Sequence, residues 1–167
     1  MTRIELRGEV VNTFADLPQV GKPAPDFRLV DAKLRDKTLA DFAGKKLLLN
    51  ILPSLDTPVC ATSTKKFNQL AEGRDDVVML MISADLPFAQ SRFCGVEKLK
   101  NVVPLSMMRS RRFAKEYGVL MVDGPLAGLT ARAVVVIDEQ GKVSHAELVQ
   151  DVADEPDYDA AMMALSQ

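Results

Sequence analysis

The chain has 167 residues, a length that suits one domain, 1–167, with a substantial core. With 47% hydrophobic and 26% charged residues it has the make-up of ordinary soluble globular proteins, which excludes a disordered chain. A net charge of −2 with both signs interspersed leaves no basis for electrostatic capture of nucleic acid or of an anionic membrane.

The segment Met1 to Arg7 alternates charged and apolar residues and lacks the apolar stretch of a signal peptide. No run is long enough to span a bilayer, so the expected location is cytoplasmic. Two cysteines in such a chain are not expected to form a permanent staple, because stable disulfides belong to oxidising compartments and weak cores; if they pair, the bond is expected to be catalytic and transient.

In chain order, residues 3–14 alternate around Gly8 (Ile4, Leu6, then Val10, Val11) and predict an amino-terminal β-hairpin. Pro18, Pro23 and Pro25 mark an extended connection. Phe27–Val30 and Lys37–Leu39 read as strands, followed by a turn of helix ending at Gly44. Leu47–Leu52 is a short apolar run with the flanks of a buried central strand. A helix follows over Val59–Glu72, with apolar residues at Ala61, Phe67, Leu70 and Ala71. Val77–Ser83 reads as a strand, Leu86–Phe93 as a helix, Val102–Leu105 as a strand, and Arg109–Tyr117 as a helix closed by Gly118. Ala133–Ile137 and Lys142–Leu148 flank the turn Asp138-Glu139-Gln140-Gly141, and Asp157–Leu165 makes a closing helix. A βαβ core, then a hairpin and a last helix, is the order of an α/β thioredoxin-like fold: a mixed central sheet flanked by helices.

The most informative stretch is Pro53-Ser54-Leu55-Asp56-Thr57-Pro58-Val59-Cys60. It joins a central strand to a helix, so Cys60 falls in the first helical turn at the carboxyl end of a strand, where α/β sheets place reactive groups. Unpartnered N–H groups and the positive helix end favour a thiolate there. Pro58 supports the placement, since proline suits the first helical position. A buried structural cysteine is the plainer alternative, and the Pro- and Thr-containing turn speaks against it.

The spacing Pro53-x-x-x-Thr57-x-x-Cys60 resembles the peroxiredoxin active-site pattern. The segments Ser54 to Cys60, Ser83-Ala84-Asp85-Leu86-Pro87-Phe88-Ala89-Gln90-Ser91-Arg92-Phe93-Cys94 and Ala131-Arg132-Ala133-Val134-Val135-Val136-Ile137-Asp138 are similar to those of bacterial thiol peroxidases, atypical two-cysteine peroxiredoxins. The resemblance extends to the closing Glu155-Pro156-Asp157-Tyr158. It implies that Cys60 is the peroxidatic cysteine and Cys94 the resolving one, joined in an intramolecular disulfide during turnover. It implies that Pro53, Thr57 and Arg132 complete the peroxide site. It also implies an antioxidant enzyme that forms a homodimer, takes electrons from thioredoxin, and uses no metal or organic cofactor.

Such a reaction is attack of sulfur on the distal peroxide oxygen, giving a sulfenic acid. An unperturbed thiol is about 3% ionised at pH 7, so full ionisation gains roughly thirtyfold. Lower basicity reduces nucleophilicity by a comparable factor, given a Brønsted slope of ~0.4–0.5. The rate must therefore come mainly from aligning the peroxide and stabilising charge on its oxygens. Thr57 can offer a hydroxyl, Arg132 a fork of permanent donors, and Pro53 a water-shielding surface without a competing N–H. Taken singly, a threonine before a helix is commonly a cap, and an arginine before a strand is commonly solvated; those two roles rest on the resemblance.

Cys94, beside Phe93, could also be simple core. If it does pair with Cys60, their positions on different helices call for local unravelling, since a disulfide needs Cα atoms within about 7 Å. His145 reads as a half-exposed strand residue, and Cys60, Cys94 and His145 lack zinc-ligand spacing. A peroxide sensor or holdase-like binding protein on the same fold is the competing function, and Cys94 favours the enzyme by supplying a thiol that completes a cycle. A thioredoxin-like disulfide reductase would need Cys-x-x-Cys, and Thr57 stands where its first cysteine would be.

Overall fold

The computed structural model describes residues 1–167. It begins with a two-stranded hairpin, β1 (Thr2–Leu6) and β2 (Glu9–Thr13), in which Ile4 pairs with Val11 and both are buried. Arg7 and Gly8 form its two-residue turn, both at positive φ (53° and 85°), as a type I′ turn requires. Asp151 steadies that turn by accepting the N–H groups of Arg7 and Gly8, each at 3.0 Å.

The main sheet contains β3 (Arg28–Val30), β4 (Asp36–Thr38), β5 (Lys46–Ile51), β6 (Val77–Ser83), β7 (Val102–Ser106), β8 (Ala133–Ile137) and β9 (Val143–Leu148). Their spatial order is β4-β3-β7-β6-β5-β8-β9, with β5, β6 and β7 parallel and the remaining pairs antiparallel. The helices are α1 (Pro58–Leu70), α2 (Pro87–Val96), α3 (Arg112–Glu116) and α4 (Tyr158–Leu165). The thioredoxin-like α/β architecture with a mixed sheet and amino-terminal hairpin is thus present.

β5 lies between β6 and β8 and is buried from Leu47 onward, which explains why its sequence is continuously apolar and does not alternate. Leu47, Leu49 and Ile51 face a core with Leu80, Ile82, Phe27, Phe113 and Tyr117. On the opposite face Leu48 meets Met79, Val134 and Val136, covered by Phe67 of α1 and by Ala161 and Leu165 of α4.

Several element boundaries differ from the sequence reading by no more than a few residues, and at three of them a local feature marks the difference. Residues Leu39–Phe42 form a 3-10 turn after β4, started by the N–H and hydroxyl of Thr38, which both donate to the Asp41 carboxylate. The helix read over Arg109–Tyr117 starts only at Arg112. Arg109 instead pairs with Asp36 at 2.6 Å, and Arg111 donates to the carbonyls of Met107 and Gly128. The helix bearing Cys94 runs on to Val96, so Cys94 sits inside its last turn.

Gly118 closes α3 at φ +73°, with its Cα against the backbone of Asp16. A Cβ there would collide with the Asp16 carbonyl while the residue also occupied the left-handed region. Gly118→Ala is therefore expected to lower stability by at least ~2 kcal/mol, read as a shifted urea midpoint at unchanged slope.

Candidate active site

The buried stripe of α1 runs Cys60, Ser63, Thr64, Phe67 and then Ala71, at helical spacing but not on the apolar residues alone. Ser63 and Thr64 tolerate burial because both hydroxyls donate to the Cys60 carbonyl, at 3.1 and 2.8 Å. Side chains that satisfy themselves against the preceding turn can face a core as apolar groups do. Cys60 thereby occupies the third helical position, fully buried, directly after the proline-led start.

Thr57 is at the N-cap position but does not cap the helix. Its hydroxyl donates to the Ser54 carbonyl at 2.9 Å, so the Cys60 N–H, which has no intrahelical partner, remains free of a cap. The oxygen lone pairs of Thr57 stay available to accept from a ligand.

Arg132 immediately precedes β8, whose Ala133 pairs with Ile51 at the end of β5. That antiparallel register brings it beside the chain leaving β5 toward Cys60. The residue is 1% exposed and forms no salt bridge to any carboxylate. Its Nε donates to the Val152 carbonyl at 3.0 Å and its Nη2 to Cys60 Sγ at 3.1 Å. Its Nη1 is buried without a partner. A buried guanidinium is costly unless an anion and hydrogen bonds offset its desolvation. The atom it meets is the Cys60 sulfur, and it keeps one donor free.

Pro53, Thr57 and Arg132 together line a cleft of about 560 Å3, whose other wall is the amino-terminal hairpin with Leu6, Val10 and Val11. Four of the five predicted site residues are thus gathered: three at the cleft and Cys60 bonded to one of them. Cys94 is not part of the cleft. Both cysteines are free thiols, and Cys94 packs against the small cluster Leu52, Leu55, Cys60 and Met81 from its own helix. Burial pushes the Cys94 thiol up to about 11. His145 is half-buried on β9, as the sequence suggests.

The sequence reading missed Asp85, whose carboxylate gathers donors from Ser54, Leu55 and Ser83. It also missed Asn50, a buried amide inside β5 with both side-chain polar atoms unpaired. A polar residue in an otherwise apolar strand was the available signal for Asn50. Asp85 carries no local signal beyond its place in the quoted segment.

Comparison with known proteins matches residues 19–162 to the Redoxin family model. The chain is 51% identical over 165 residues to a thiol peroxidase of Mycobacterium bovis, covering 99% of each. Among solved structures it superposes on a peroxiredoxin-like protein from Aquifex aeolicus with a TM-score of 0.93 at 38% identity, covering 99% of this chain and 96% of that one. A thiol peroxidase from Chromobacterium violaceum gives a TM-score of 0.90 at 27% identity, covering 98% and 95%.

The raised Cys94 value has a direct consequence. Thiols alkylate as thiolates, so the folded protein should keep Cys94 neutral and slow until pH approaches 11. The same residue should react from about pH 9 once unfolded. Because the folded value is raised, the associated stability is full below pH 9 and is lost as pH rises toward 11. Site-resolved mass spectrometry of iodoacetamide labelling across that range, with and without urea, checks the difference.

Proposed function

Because this chain belongs to the Redoxin family and is a peroxide-reducing thiol peroxidase of the peroxiredoxin type, we propose that Cys60 is its peroxidatic sulfur and that Pro53, Thr57 and Arg132 hold the substrate. The observation that carries this reading is the buried Arg132 guanidinium, with one nitrogen on the Cys60 sulfur and another unpartnered. A hydroperoxide oxygen would satisfy the free donor while lying next to the nucleophile. Thr57, its own proton committed to Ser54, would accept the peroxide O–H. Buried Pro53 adds apolar surface without a donor that would compete for the oxygens.

The sulfur then attacks the distal oxygen, the O–O bond breaks, and hydroxide or alkoxide leaves as its developing charge meets Arg132. Cys60 becomes a sulfenic acid. Cys94 resolves it as an intramolecular Cys60–Cys94 disulfide, which thioredoxin reduces. The acting unit is the single domain 1–167, in a cytoplasmic homodimer, with no metal or organic cofactor. No helix is long and apolar enough to cross a membrane.

Cys60→Ser is expected to abolish peroxide consumption, whereas Cys94→Ser should retain one stoichiometric turnover and lose thioredoxin-supported cycling. Turnover coupled to thioredoxin, its reductase and NADPH separates the two outcomes. Unimpaired turnover in Cys60→Ser sinks the assignment.

Arg132→Met and Thr57→Val should each slow peroxide reduction by about 100-fold or more, as loss of a positioned donor or acceptor does. Stopped-flow rates set against thiolate absorbance test this. Rates that merely follow the ionised fraction would refute positioning as the main source of rate.

A further inference from the structure

A polar cluster lies between the two cysteine-bearing segments and contains none of the residues assigned to the peroxide. Asp85 follows β6 by two residues and directly precedes Leu86, the N-cap of α2. Its carboxylate accepts from the Ser54 hydroxyl at 2.8 Å and the Leu55 N–H at 2.8 Å, both on the chain leading to Cys60. It also accepts from the Ser83 hydroxyl at 2.7 Å, and its backbone carbonyl accepts from the Ser106 hydroxyl. One residue therefore ties the Cys60 loop, the ends of β6 and β7, and the root of the helix that carries Cys94. Ser54 relays the tie, since its carbonyl receives both the Thr57 hydroxyl and the Thr57 N–H.

We propose that Asp85 is a positioning residue that latches the Cys60 loop to the start of the Cys94 helix, holding the closed arrangement that meets peroxide and opening before the sulfurs pair. This rests on the assignment of Cys60 and Cys94 above. Hydrogen bonds to an ionised carboxylate are roughly twice as strong as neutral ones, so three of them form a substantial restraint on a short loop. In the closed form both thiols are free, and Cys94 is packed with a neutral sulfur. Resolution needs the Cys94 sulfur to attack the Cys60 sulfenic sulfur. The S–S bond forms, the S–O bond breaks, and water leaves carrying the Cys94 proton. Cys94 is oxidised and Cys60 is reduced from the sulfenic level. A second hydroperoxide competes by oxidising the sulfenic acid to sulfinic acid, itself reduced to water or alcohol. The latch lifetime divides the sulfenic acid between these fates.

The test uses the full reduced chain, mixed rapidly with hydrogen peroxide and quenched with dimedone. Mass spectrometry then counts sulfenic acid, disulfide and sulfinic acid. Asp85→Ala is expected to raise the first-order rate of disulfide formation about tenfold. It should raise by a similar factor the peroxide concentration that gives half sulfinic acid. Asp85→Asn, which keeps one acceptor, should fall between Asp85→Ala and the native chain. A role in stability alone would lower the melting temperature without changing this partition. Should Asp85→Ala not fold, Ser54→Ala removes a single latch bond and should accelerate resolution about threefold. Unchanged or slower disulfide formation in the folded variants overturns the latch. Absence of a Cys60–Cys94 disulfide in the native chain overturns instead the cysteine assignment beneath it.

Discussion

The contact between the Arg132 guanidinium and the Cys60 sulfur organises the rest of the molecule. Burying a permanent cation without a carboxylate carries a desolvation cost that hydrophobic packing cannot offset. The fold supplies two compensations, a sulfur at 3.1 Å and the Val152 carbonyl at 3.0 Å, and leaves Nη1 without a partner in a residue that lines the cleft. The β5–β8 register places Arg132 there, because Ala133 pairs with Ile51 just before the chain turns toward Cys60. A one-residue slip would send the arginine to the other face of the sheet.

The first turn of α1 is built to the same end. Thr57 is a natural capping residue, yet its hydroxyl turns back to Ser54, so the helix start keeps unsatisfied donors near the sulfur. The helix gives up the stability of a side-chain cap, worth about 1 kcal/mol, and leaves the Thr57 oxygen free to accept a further hydrogen bond. Ionisation alone gains roughly thirtyfold and is largely cancelled by lost nucleophilicity. Geometry of this kind is therefore where rate has to originate.

The same region is the most polar part of the interior. Ser63 and Thr64 under α1, the unpaired Asn50 amide in β5, and the Ser83–Asp85–Gln90 group at the root of α2 interrupt an otherwise aliphatic core. The opposite face of the sheet carries the larger apolar cluster, with Phe27, Phe113 and Tyr117 stacked or edge-on. Segments held by hydrogen bonds more than by apolar burial open at lower free energy. By that rule the polar surroundings of the two cysteines open more readily than the aromatic-lined face.

Periodicity, turn residues and proline placement were enough to read the hairpin, the alternating strands and helices, and the position of Cys60, because each is dictated within a few residues of chain. The grouping of Pro53, Thr57 and Cys60 came from the resemblance to the peroxiredoxin active-site pattern, and all three fall in the short stretch that joins β5 to α1. Sequence alone misplaced the start of α3, where Arg111 bonds carbonyls outside the helix. What it could not contain was the burial of Arg132, 72 positions from Cys60, or the grip of Asp85 on Ser54, 31 positions away. Both depend on strand order and register, and those are settled only when the whole sheet assembles.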